Sequence, residues 1–141
     1  MGISRVLWVD LRFFRDQVSC YHYLNRNWIV SRIHNTEKLY LEIRKTTPTF
    51  PCFEYDYPDT SGLSTLRQTS CQFPSIPIIM LTEQHSEALA TWALRLHVWD
   101  YFVHPLNPWD LLTSAAAILA QKSSSKDKMA LQRQLPNPDI S

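Results

Sequence analysis

Four polar residues in this sequence share one setting. Asp10 closes the apolar run RVLWV, Glu54 follows CF, Thr82 ends IPIIML, and His104 follows DYFV. Each lies where a short hydrophobic stretch gives way to polar chain. If those stretches are parallel strands, all four residues are delivered to the carboxyl ends of one sheet, where open α/β folds place their sites. Two acids, a hydroxyl and a potential cation would then meet. Such a group can hold ions, and a pocket there could take a nucleotide or metabolite.

The surrounding elements must do that positioning. RVLWVD is a short apolar run suited to a buried parallel strand. Phe14, Val18, Tyr21 and Leu24 predict a helix over 13–25. NWIVSRIH is β-rich. Asn35 or Thr36 can cap a helix carrying Leu39, Tyr40 and Ile43. Pro48 and Pro51 bracket the approach to a third strand over 52–55. A helix diluted by Thr and Ser is expected over 61–70. IPIIMLT is a fourth strand, and Ser86 caps the amphipathic SEALATWALRL. WDYFV is a fifth strand. NPWDLLTSAAAILAQK is a helix with Asn107 at its cap and Pro108 in its first turn.

Strand and helix thus alternate five times. That order implies a doubly wound, five-stranded parallel α/β sheet with helices on both faces, a (βα)5 flavodoxin-like fold. Residues 1–122 form one domain in this reading, and 123–141 form a helix extension followed by a flexible linker or tail.

The segments VLWVD, EYDYPDTSGL, IPIIMLT and WDYFVHP, in this order and spacing, resemble the receiver domains of bacterial two-component response regulators. The resemblance covers roughly residues 4 to 122. It implies that Asp10 stands at the first of two acids that help to bind Mg2+, with Leu11 in place of the second. Glu54 stands at the phosphoacceptor aspartate, Thr82 at the switch hydroxyl, Tyr101 at the switch aromatic, and His104 at the lysine. His97 replaces a usual glycine before the last strand. Leu11, Glu54 and His104 all depart from the pattern. Mg2+ prefers octahedral oxygen ligands, so loss of one carboxylate predicts a weak or absent metal site and no firm cofactor. Glu54 carries its carboxylate one methylene further than aspartate, misplacing in-line attack. Histidine is only partly charged near pH 7.

The resemblance therefore implies a degenerate receiver, or pseudo-receiver, in phosphorelay signal transduction. It is not an enzyme and acts through protein contact, with an output domain or as a homodimer, and it could be the N-terminal module of a transcription regulator. The dimer surface expected is the one carrying Trp92, Tyr101 and Trp109. A working phospho-receiver that uses Glu54 or Asp56 is one alternative. A small-ligand module at the strand ends is another.

Composition limits the other classes. The 14 basic and 13 acidic residues leave a formal charge of +1, and the basic residues form no stripe, which argues against direct nucleic-acid binding. No apolar run is long enough for a membrane span, and MGISRVLWVD lacks the layout of a signal peptide. A cytoplasmic protein with reduced, buried thiols at Cys20, Cys52 and Cys71 is expected. Two glycines rule out glycine-rich phosphate loops. Cys20 and Arg26 have C-x5-R spacing, but CYHYLNR is aromatic and glycine-free, so a phosphatase loop is not expected. The five histidines show no paired spacing with a third ligand, so no zinc site is expected.

Overall fold

A computed structural model describes residues 4–12, 20–24, 28–55, 61–83 and 85–134; of side chains in 123–134 nothing is said. Five strands, β1 (Arg5–Asp10), β2 (Ile29–Ile33), β3 (Phe50–Tyr55), β4 (Ile79–Thr82) and β5 (Asp100–Val103), form one sheet. The order is β2-β1-β3-β4-β5 and every pairing is parallel. The helices are α1 (Leu39–Thr46), α2 (Ser61–Gln72), α3 (Glu87–Arg95) and α4 (Pro108–Gln134).

The apolar strands are covered on both faces, as a parallel sheet requires. Alternation along β1 sends Val6 and Trp8 to one face and Leu7 and Val9 to the other. Trp8, Phe50, Cys52 and Leu81 pack with Trp28 and with Leu111, Ala115 and Ile118 of α4. Val9, Phe53 and Met80 pack with Leu39 and Ile43 of α1, Leu66 of α2, and Leu89 and Ala93 of α3. This is the doubly wound α/β architecture expected from the sequence.

Local differences have local causes. Within 13–25, the described part is a 3-10 turn over Cys20–Leu24 rather than an α-helix; residues 13–19 and 25 lie outside the described residues. Asn35 accepts from Glu37 N–H at 2.8 Å and caps a 3-10 turn over Thr36–Lys38, from which α1 continues. β3 starts at Phe50, so Pro51 is its second residue and pairs with Leu7. The prolyl ring is tolerated there, near the start of the strand. Ser86 Oγ accepts from Leu89 N–H and opens α3 as expected. Cys71 is exposed on α2 and only Cys52 is a buried thiol among the described ones, which corrects the expectation for Cys71: helix periodicity turns it outward. The His104–Pro105 peptide is cis. No helix among the described residues is long and apolar enough to cross a membrane.

Candidate functional site at the strand ends

The sheet order reverses between β1 and β3, since the chain goes out to β2 and returns past β1. Such switch points open a crevice at the strand ends. Asp10 and Glu54 are direct register partners there. Trp8 pairs with Cys52, two residues before Glu54, so Trp8 and Glu54 are diagonal neighbours on the same face. The indole reaches across: Trp8 Nε1–H donates to Glu54 Oε1 at 3.0 Å. Leu11 N–H donates to the Glu54 carbonyl at 2.8 Å, which ties the chain leaving β1 to β3.

Glu54 has no exposed surface. A buried carboxylate must be paired or hydrogen-bonded to stay ionised, and this one is. His104 Nε2 lies 3.1 Å from Oε2, and Arg12 Nη2 lies 3.6 Å from Oε1. His104 arrives from the end of β5, where its backbone N–H donates to the Thr82 carbonyl at 2.9 Å. His104 Nε2 is also 3.7 Å from Glu83 Oε1.

Arg12, like Glu83, is a site residue that sequence reasoning missed. It is buried, although arginine is among the residues least often fully buried. Its Nε and Nη2 donate to the two oxygens of Asp10, each at 3.0 Å. Its backbone N–H donates to Asp10 Oδ1 at 3.1 Å, and Nη1 reaches Glu83 Oε1 at 3.4 Å. This two-point, planar pairing is the geometry a guanidinium makes and a lysine cannot. Burial favours the neutral form of Arg12, but the Asp10 hydrogen bonds and the charges of Glu54 and Asp10 outweigh it and raise its pKa. For Asp10, burial pushes the pKa up, and the Arg12 hydrogen bonds and charge overcome that to leave it lowered. Arg32 adds a weaker contact, 3.9 Å from Asp10.

Asp10, Glu54 and His104 are therefore brought together, with Glu83 and Arg12 between them. Thr82 is fully buried at the end of β4. Leu11 is half-buried and packs with the α1–α3 face. Asp56 lies outside the described residues. Tyr101 is half-buried on β5, with its hydroxyl turned inward. Burial raises its pKa, opposed by the Ser86 backbone. Trp92 is half-buried on α3, and Trp109 on α4 is 73% exposed. A separate cavity of about 610 Å³ lies where the chain enters β4 and β5, lined by Pro74, Ile76, His97, Trp99 and Lys122 among others. The one signal for Arg12 and Glu83 was position: both follow a strand end by one or two residues.

No family model and no curated protein matches the chain. Solved structures do. A CheY-like response regulator receiver domain protein from Methanospirillum hungatei JF-1 superimposes with a TM-score of 0.72 at 22% identity, covering 88% of this chain and 99% of that one. The receiver domain of a putative Luxo repressor protein from Vibrio parahaemolyticus gives 0.69 at 20% identity, covering 89% and 96%. NtrX from Brucella abortus gives 0.72 at 18% identity; 96% of this chain is covered, but only 31% of NtrX. The chain has the receiver fold.

Proposed function

We propose that this chain is a regulatory pseudo-receiver, which works by protein contact and is not switched by phosphorylation. The observation that carries the reading is the state of Glu54. Its carboxylate is wholly buried, with Trp8 and Arg12 at one oxygen and His104 at the other. In-line attack needs a carboxylate oxygen aimed at the donor, and these partners hold both oxygens toward the chain's own side chains instead. Arg12 adds a second reason, because its guanidinium holds Asp10 where a divalent cation would need that carboxylate. An internal cation thus stands in for an external one.

The contact surface in this reading is the face of α3, β5 and α4, and the partner is a second copy of the chain or an output domain. Supporting it are Trp109 on α4 and Leu94 on α3, both more than 70% exposed, and Trp92 on α3, which is half-buried. Aromatics at such a face are the usual anchors of interfaces. By the receiver resemblance, the inward Tyr101 is the active-like position of the switch aromatic, held without a phosphoryl donor. In this reading residues 123–141 would connect to the output partner, of which a transcription regulator is one form.

Treatment with acetyl phosphate and Mg2+, followed by intact mass measurement, tests the central point. The expected result is an unchanged mass. A gain of one phosphate mapped to Glu54 or Asp56 would replace this reading with a working phospho-receiver.

A further inference from the structure

The three strand ends that hold Glu54, Glu83 and His104 also assemble a set of metal-ligand atoms. One ligand atom from each of the three lies within 4.8 Å of the other two. The individual separations are 3.1 Å from His104 Nε2 to Glu54 Oε2 and 3.7 Å from the same nitrogen to Glu83 Oε1. Two ligands in a tetrahedral zinc site, each about 2.0–2.1 Å from the ion, stand about 3.3 Å apart. The observed spacings straddle that value. The carboxylate-to-carboxylate separation is within 4.8 Å, so side-chain adjustment would be needed to seat an ion.

The geometry points to a binding site for a borderline divalent transition metal ion of the Zn2+ class at Glu54, Glu83 and His104. The donor set decides the class. An imidazole nitrogen with two carboxylates suits zinc and its neighbours, whereas Mg2+ favours oxygen and retained water. Access comes from the rim, because His104 and Glu83 keep 14% and 24% of their side-chain surface exposed. The charge balance is favourable as well. Asp10, Glu54 and Glu83 outnumber the buried Arg12, and Arg32 is at the surface and screened by solvent.

Arg12 does not occupy this position. It approaches Glu54 through Oε1, while His104 meets Oε2 on the other side of the carboxylate. The shared partner is Glu83 Oε1, whose contact with Arg12 Nη1 is long, at 3.4 Å. Binding would exchange that contact for a metal bond and require His104 Nε2 to be deprotonated, since a metal ligand must present a lone pair. Spacing in the sequence hides such a site, because its ligands come from three separate strand ends, at positions 54, 83 and 104.

The test is calorimetric titration of the full chain with Zn2+, in a Cys71→Ser background that removes the exposed thiol. Saturable one-to-one binding is expected, and Mg2+ at the same concentration should give no heat of binding. Co2+ should produce the visible absorption of a low-coordinate ion and no thiolate charge-transfer band. Glu83→Gln, a rim substitution, and His104→Gln should each weaken Zn2+ binding by about tenfold or more. If His104→Gln does not fold, Glu83→Gln alone decides. Absence of Zn2+ binding, a thiolate band, or affinity unchanged in Glu83→Gln would overturn the site. Phosphoryl uptake is a separate measurement, so failure here leaves the pseudo-receiver reading standing.

Discussion

Arg12 and Asp10, two residues apart in the chain, close a two-point ion pair with both contacts at 3.0 Å and both side chains buried. The same guanidinium faces Glu54 and Glu83. One side chain therefore lies against three carboxylates and offsets part of their mutual repulsion at the end of the sheet.

Removing that cation should be costly. Truncation of one partner of a buried ion pair leaves the other charge unpaired and costs about 3–5 kcal/mol. Arg12→Ala is expected to lose about this much in urea unfolding. Asp10→Asn should recover part of the loss when added to Arg12→Ala, since it removes one of the stranded charges. A loss below about 1 kcal/mol for Arg12→Ala, on the surface ion-pair scale, would show that the pair is solvated.

The same pair fixes a pH dependence. The Asp10 pKa is lowered in the folded state, burial being outweighed by Arg12. A group with a depressed folded pKa contributes stability that is fully present above its unfolded pKa, near the ordinary value of 3.8. The contribution fades as pH falls through the folded value. The stability difference between wild type and Asp10→Asn is expected to be constant from neutral pH to about 5 and to shrink below about 4. Urea titrations at successive pH values measure it, and a difference that stays flat down to pH 2 would contradict the pairing.

His97 sits at a φ of 61° just after α3, where Val98 N–H donates back to the Ala93 carbonyl. That is the left-handed residue of a helix-ending motif, and it favours glycine. A side chain there costs about 1–2 kcal/mol, while glycine loses about 0.5–1 kcal/mol in entropy. His97→Gly is therefore expected to leave stability unchanged or raise it by up to about 1 kcal/mol. Thermal unfolding checks the sign, and a clear decrease would mean that the imidazole makes a contact worth more than the backbone strain.

If α3, β5 and α4 form a two-fold interface, the same patch must serve both copies. Wild type should sediment as a dimer at micromolar concentration. Trp109→Ala should weaken it by about 2 kcal/mol, more than tenfold in affinity, with little loss of monomer stability because Trp109 is already 73% exposed. A monomeric wild type, or a dimer indifferent to Trp109→Ala, would exclude this face.

Much of the architecture was legible from residue order. Short apolar runs such as RVLWVD and IPIIMLT, alternating with capped amphipathic segments, leave few arrangements other than a parallel sheet covered on both faces. Ser86 and Asn107 mark their helices by local hydrogen bonds that the structure contains, Ser86 to Leu89 and Asn107 to Trp109. The same order showed that Asp10, Glu54, Thr82 and His104 end strands. It could not show what fills the space between them. Arg12 reads in the sequence as an ordinary basic residue in polar chain, and Glu83 as a neighbour of Thr82. Burial of a charge depends on partners distant in sequence, here carboxylates 42 and 71 positions from Arg12. Local patterns determine where strands stop, because periodicity and capping are short-range. That Arg12 reaches Glu54 and Glu83 as well as Asp10 is set by long-range pairing, and only the tertiary structure decided it.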